Sequence, residues 1–197
     1  VKSRQIPLHH REHAEKEVNR LMKLGIIRPS NSAYHSPAFI IKKPSGDFRL
    51  VCDYRKINSH VIRSVHPLPS LQTVSALWHG CTMWSKMDFG SGYFQARLSE
   101  RSKQYTAAGI PSVGFFEFNR VPLGISSAVG FFQGLISKWL LGLKNVKCCC
   151  FIDDVATGAV DFDQMLSNLE EIFNRIAQSG LLPVSYTHLT LPTIYSV

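Results

Sequence analysis

Apolar positions recur at helical spacing near the start of the chain. Ala14, Val18, Leu21 and Met22 share one face, Glu12 and Lys16 can pair at i,i+4, and Gly25 supplies a stop, which predicts a helix over 12–23. Two β-rich runs, 37–43 and 48–54, flank the Pro44-Ser45-Gly46-Asp47 turn and predict a hairpin. Further strands are expected at 83–89 and 115–121, the second after a turn over 109–114. Ser126 or Ser127 can cap a helix with Ala128, Phe131, Phe132, Leu135, Ile136, Trp139 and Leu140 inward and Gly142 as its stop. Two apolar strands, 146–152 and 155–160, then enclose Asp153 and Asp154. A last helix begins near Asp161 or Asp163, with Met165, Leu166, Leu169, Ile172, Phe173 and Ile176 inward and Gly180 as its cap. From Asp88 onward the order is strand, helix, hairpin, helix, which is an α+β layer over a mostly antiparallel sheet.

The 197 residues suffice for one medium domain or two small ones. Hydrophobic residues make up 45% and aromatics 11%, which excludes an intrinsically disordered chain. No apolar run approaches the ~20 residues of a membrane span, and VKSRQIPLHH has no apolar signal core. Lys and Arg total 22 against 14 Asp and Glu, so the chain carries +8 and invites an anionic partner, nucleic acid first. Cys52, Cys81 and Cys148–Cys150 contain no CxxC pair, which argues against a structural zinc site and for apolar core thiols in a reducing compartment. His9, His10 and His13 lack a nearby cysteine or carboxylate triad and read as solvated surface.

The stretch Phe151-Ile152-Asp153-Asp154 puts two acids at the tip of a tight hairpin. Like charges side by side are costly unless a cation neutralises them, although aspartate is also an ordinary turn residue. Asp88 tips the balance, because it ends the apolar run Trp84-Ser-Lys-Met with no turn to explain it. If the two strands are neighbours, Asp88 and Asp153 meet at one sheet end. Hard divalent cations favour such carboxylate oxygens, with Mg²⁺ using one or two of them plus substrate phosphates.

These residues resemble the motifs of reverse transcriptases, most closely those of Ty3/Gypsy-type retrotransposon Pol polyproteins. Phe-Ile-Asp-Asp is similar to the family's Tyr-x-Asp-Asp box, and Lys86-MDFGSGYFQ to its first catalytic motif. Ile26-IRPSNSAYHSPAFIIKKPSGDFRLVCDYRKIN resembles the fingers region, Pro67-LPSL the linker, and Phe118-NRVPLGISSAVGFFQ the template-side loop and helix. The resemblance covers residues 4–182. It implies the fingers and palm of a right-hand polymerase, the fingers at about 1–80 and 99–117, with a ferredoxin-like palm sheet carrying helices on one face. The chain would stop before the last palm strand and the thumb.

The implied activity is RNA-directed DNA polymerisation: transfer of a deoxynucleotide from a dNTP to a primer 3′-hydroxyl. Asp88 and Asp153 would hold two Mg²⁺ ions (or Mn²⁺), with Asp154 as the supporting acid. Arg49 and one of Lys42 and Lys43 would clamp the triphosphate. Tyr93 would close the sugar pocket, and Gly124 would let the backbone approach the nucleotide. Phe151 and Gln133 would face template and primer. Implied partners are an RNA or DNA template–primer, dNTPs, and the protease, RNase H and integrase domains of the full polyprotein, with no membrane. The implied location is cytoplasmic, and a virus-like particle or the nucleus for the complete element.

Three positions depart from the family pattern: Phe151 replaces the usual tyrosine, Leu123 a phenylalanine or glutamine, and Val129 a proline. None removes a metal ligand. Residues 184–197 depart altogether. Val184-SYTHLTLPT is the in-frame translation of a sequence resembling a transposase-type sequencing adapter, so a non-native tail is expected there. A catalytically dead, nucleic-acid-binding remnant of a decayed element is the main alternative. An RNA-dependent RNA polymerase is a second, against which Tyr93 argues.

Overall fold

The computed structural model describes residues 8–179 except 45, 65, 90, 91 and 112. In chain order the elements are α1 (Leu8–Lys23), β1 (Ile27–Pro29), β2 (Ser36–Lys42), β3 (Phe48–Cys52), α2 (Arg55–Asn58), α3 (Leu71–Trp78) and β4 (Met83–Asp88), then a 3₁₀ turn at Gly92–Gln95. There follow α4 (Glu100–Lys103), a 3₁₀ turn at Gln104–Thr106, β5 (Ala108–Ile110), β6 (Gly114–Phe118), α5 (Ala128–Trp139), β7 (Cys148–Phe151), β8 (Asp154–Ala159) and α6 (Phe162–Gln178). The chain divides into two compact units, Val1–Arg63 with Tyr93–Ala128, and Ser64–Gly92 with Val129–Val197. Among the described residues no helix is long and apolar enough to cross a membrane. The readings of Gly180 as a cap and of 184–197 as a tail fall outside the described residues.

The first unit is a five-stranded sheet in the order β1-β6-β5-β2-β3, antiparallel except for the β2–β5 pair. Pro29 lies in β1 at the sheet edge, where its missing N–H breaks no ladder. The predicted hairpin forms with Ala38 opposite Cys52 and Lys42 opposite Phe48. Its inward face meets Ala14, Val18 and Leu21 of α1, the stripe that spacing predicts. The expected turn over 109–114 is corrected in its first half, because Ala108–Ile110 is a buried strand paired on both sides. Gly109 hides that strand from periodicity. A Cβ there would lie 2.6 Å from Phe115 Cδ1, so any side chain at this position would have to displace the Phe115 ring.

The second unit is the antiparallel sheet β4-β8-β7 with α3 and α6 packed on β8. Met87, Val155, Cys148 and Cys150 are buried in its core with Ile136, Leu140, Ile172 and Ile176. The side chain of Asp161 caps α6 by accepting from Gln164 N at 2.8 Å. Two expected core positions are corrected: Phe131 is 41% exposed and Leu166 is 50% exposed. Their helices turn Gln133 and Asn168 inward instead, each bonded to the sheet backbone. All five cysteines are free thiols, and only Cys81 is not fully buried.

Candidate nucleotidyl-transfer site

Cross-strand register decides what the palm-like sheet presents. Asp88 closes β4 directly opposite Asp154, which opens β8, and Asp154 stands opposite Phe151 at the end of β7. Side chains alternate along a strand, so Trp84, Lys86 and Asp88 share a face with Asp154 and Phe151, while Ser85 and Met87 turn into the core. Asp153 lies in the two-residue turn between β7 and β8. Its carbonyl accepts the N–H of Phe89 at 2.9 Å, which ties the turn to the residue after Asp88. The three acids therefore gather at one end of one sheet.

The electrostatics follow from that gathering. Burial, and then repulsion from Asp153 and Asp154, hold the Asp88 carboxyl above its ordinary value, with Lys86 opposing. Lys86 Nζ lies 2.8 Å from Asp154 Oδ2, and this bond raises the lysine in turn. One lysine faces three carboxylates, so the sheet end keeps an excess of negative charge. Among the described residues no group of three or more His, Cys, Asp and Glu side chains forms a metal cage by itself. The donor chemistry still suits a hard divalent cation that draws its remaining ligands from phosphates and water. Burial first and the neighbouring acids second penalise the ionised Asp88 carboxyl, and such a cation would offset that penalty.

The remaining expected residues fall in both units. Within the first unit, Lys42, Lys43 and Arg49 are exposed on the β2–β3 hairpin. Arg49 is paired with Ile41, and the ladder continues through Lys43 N donating to Asp47 O at 2.7 Å. Alternation thus puts Lys43 on Arg49's face and Lys42 on the face of Phe48, which stacks on His13 of α1. Tyr93 is half-buried in the 3₁₀ turn. Gly124 has φ +98°, and its carbonyl accepts from Asn58 Nδ2 at 2.8 Å while Ser126 N donates to Asn58 Oδ1 at 2.8 Å. Arg55 is exposed and paired with Asp53, as a surface residue would be.

In the second unit Phe151 is half exposed beside Asp154. Gln133 is different: it is wholly buried, and both ends of its amide bond to the β7–β8 hairpin. Its expected contact with template or primer is therefore corrected. Sequence reading missed Asn58 as the clasp of the Gly124 loop, which no periodicity signals. It also missed Lys86 as the partner of Asp154, which the i, i+2 alternation from Asp88 could have found.

The family model described as Reverse transcriptase (RNA-dependent DNA polymerase) matches residues 41–182. The Retrovirus-related Pol polyprotein from transposon 297 of Drosophila melanogaster is 30% identical over 188 residues, covering 92% of this chain and 18% of that protein. Transposon Tf2-3 polyprotein of Schizosaccharomyces pombe is 28% identical over 166 residues, covering 84% of this chain and 12% of that protein. The chain thus spans less than a fifth of these relatives. Among solved structures, the prototype foamy virus protease–reverse transcriptase superposes with a TM-score of 0.80 at 21% identity over 91% of this chain and 24% of that one. The foamy viral protease–reverse transcriptase in complex with an RNA/DNA hybrid gives 0.79 at 18% identity, with the same coverage. At those identities the likeness speaks for the fold.

Proposed function

The chain belongs to the reverse transcriptase (RNA-dependent DNA polymerase) family, and from that premise we propose that it is the fingers and palm of a retrotransposon RNA-directed DNA polymerase. On this reading the first unit is the fingers and the second the palm, so 64–80, expected above in the fingers, is assigned to the palm, and 93–98 and 118–128 join the fingers. The reaction is attack of a primer 3′-hydroxyl on the α-phosphorus of a dNTP, with pyrophosphate leaving in line. The observation that carries the reading is the convergence of Asp88, Asp153 and Asp154 at one end of the β4–β8–β7 sheet.

Asp88 and Asp153 would hold the divalent cations, and Asp154, paired with Lys86, is the supporting acid. Two Mg²⁺ ions bound there supply activation of the attacking hydroxyl and stabilisation of the leaving phosphate oxygen. Arg49 binds the triphosphate through a planar fork, and Lys43, on the same hairpin face, adds a point charge. Tyr93 closes the sugar pocket against a 2′-hydroxyl, and Gly124 gives the nucleotide a side-chain-free backbone. The +8 balance suits a track for the phosphates of an RNA or DNA template–primer. Protease, RNase H and integrase domains accompany this one in the full polyprotein.

The test is primer extension on poly(rA)–oligo(dT) with Mg²⁺, comparing the wild-type sequence, completed with a relative's thumb, with its Asp153→Asn variant. Incorporation that Asp153→Asn abolishes supports the assignment; equal incorporation by both rejects it.

A further inference from the structure

A fully buried glutamine has no place in a phosphate track, yet Gln133 is wholly enclosed beneath the acid-bearing hairpin. Its Nε2 donates to Cys150 O at 3.1 Å, and its Oε1 accepts from Ile152 N at 2.7 Å. The two bonds bracket Phe151 and reach the first residue of the turn that carries Asp153. We propose that Gln133 is a positioning residue that holds this turn in the conformation that aims Asp153, an inference that rests on the metal-binding role given to Asp153 above.

Three observations point the same way. Ile152 has φ +58°, a left-handed conformation that a β-branched residue adopts only under constraint. Two-residue hairpin turns commonly give that position to glycine or asparagine, which adopt positive φ readily. Here an isoleucine occupies it, so something outside the turn must hold the backbone, and the short bond from Ile152 N to Gln133 does so. Lastly, the neighbouring residue on α5 supports the other acid. Phe132 packs edge-on against Phe89, the residue after Asp88, with ring centroids 6.4 Å apart, and Phe89 N donates to Asp153 O. Successive residues of one helix thus brace both segments that bear acids. Both ends of the Gln133 amide are engaged by the backbone of the β7–β8 hairpin.

The test uses the 197-residue chain with Gln133→Met, which keeps volume but removes both hydrogen bonds, and the double variant Gln133→Met/Ile152→Gly. One readout is hydrogen exchange of the Ile152 amide, and the other is Mn²⁺ affinity from water-proton relaxation. Gln133→Met is expected to lose Ile152 protection and about tenfold in Mn²⁺ affinity, with the β4–β8 ladder amides still protected. Glycine accepts positive φ freely, so Ile152→Gly is expected to restore most of that affinity. Unchanged Ile152 protection, or unchanged Mn²⁺ affinity where Asp153→Asn lowers it, overturns the positioning role. Unchanged affinity in Asp153→Asn overturns the metal reading instead. If Gln133→Met fails to fold, folding regained with Ile152→Gly supports the role, and failure in both backgrounds overturns it.

Discussion

Asp88 and Asp154 stand directly opposite each other across the β4–β8 ladder, two carboxylates where a sheet built for stability would put opposite charges or an apolar pair. Lys86, two residues before Asp88 and on the same face, reaches Asp154 at 2.8 Å and neutralises only part of the excess. Local rules broken without local compensation mark functional sites, and the divalent cation proposed for this sheet end would supply that compensation.

Asp88→Asn should therefore raise thermal stability in the absence of divalent ions while abolishing nucleotide incorporation. Because the folded state holds the Asp88 carboxyl above its ordinary value of 3.8, its ionised form is penalised in the fold. That penalty acts above the raised pKa and disappears as pH falls below 3.8, where the carboxyl is protonated in both states. Thermal melts in EDTA should show the variant ahead at pH 7 and level with wild type at pH 3. A variant that melts lower at pH 7 would reject the repulsion account.

The β2–β3 register separates two lysines that sequence left equivalent. Lys43 shares the face of Arg49, whereas Lys42 lies on the Phe48 face. A lost charge-assisted contact costs about 1.5–3 kcal/mol, so Lys43→Ala should raise the KM for dNTP roughly tenfold or more. Lys42→Ala should leave it within about twofold, as an exposed lysine without a phosphate contact would. Steady-state dNTP titrations in primer extension measure both, and equal effects would contradict the face assignment.

Gly92 approaches α5 too closely for any side chain. A Cβ there would lie 2.6 Å from Phe132 Cζ and 3.2 Å from Phe89 Cβ, inside the contact that follows Asp88. Gly92→Ala should cost about 1–3 kcal/mol by overpacking. Phe132→Leu frees space at the ring tip, so the double variant should recover part of that loss. A double-mutant cycle by urea unfolding tests it, and strict additivity would show that the two residues do not meet.

Burial also sets thiol reactivity. Enclosure pushes the Cys52 thiol up to about 12 and raises Cys149 as well, so neither carries much thiolate near neutral pH. The half-exposed Cys81 should react with Ellman's reagent in the native chain at pH 8, and the other four only on unfolding. Rapid native labelling of several thiols would show that the Cys148–Cys150 strand is not enclosed.

Much of this was legible in the sequence because the signals were local. The α1 stripe, the β2–β3 hairpin, the Asp161 cap and the acids flanking an apolar strand each follow from period, turn residues or capping chemistry. What stayed hidden was set by tertiary pairing. Glycine at 109 gave β5 no hydrophobic alternation, although β2 and β6 bury it on both sides. Gln133 is expected from the family resemblance to face template or primer, and only the left-handed turn above it explains why an amide is buried there. The pairing of Asp88 with Asp154 needed the register of two strands about 65 residues apart in sequence, which no local window contains.

Asn58 offers the clearest case of a residue whose role only the fold reveals. Its amide bridges two points of one loop, donating to Gly124 O and accepting from Ser126 N, both at 2.8 Å. Gly124 has φ +98°, so the loop follows a path that other residues rarely take and depends on those bonds to keep it. Asn58→Asp keeps size and the acceptor, but turns the donor that faced Gly124 O into a second oxygen. The lost bond and the new oxygen–oxygen contact should destabilise the chain by about 1–3 kcal/mol. If Gly124 lines the nucleotide site, the same change should raise the KM for dNTP more than it lowers kcat. Urea unfolding together with dNTP titration separates these effects. A variant with lowered stability and unaltered KM would leave Asn58 a purely structural clasp and would remove Gly124 from the nucleotide site.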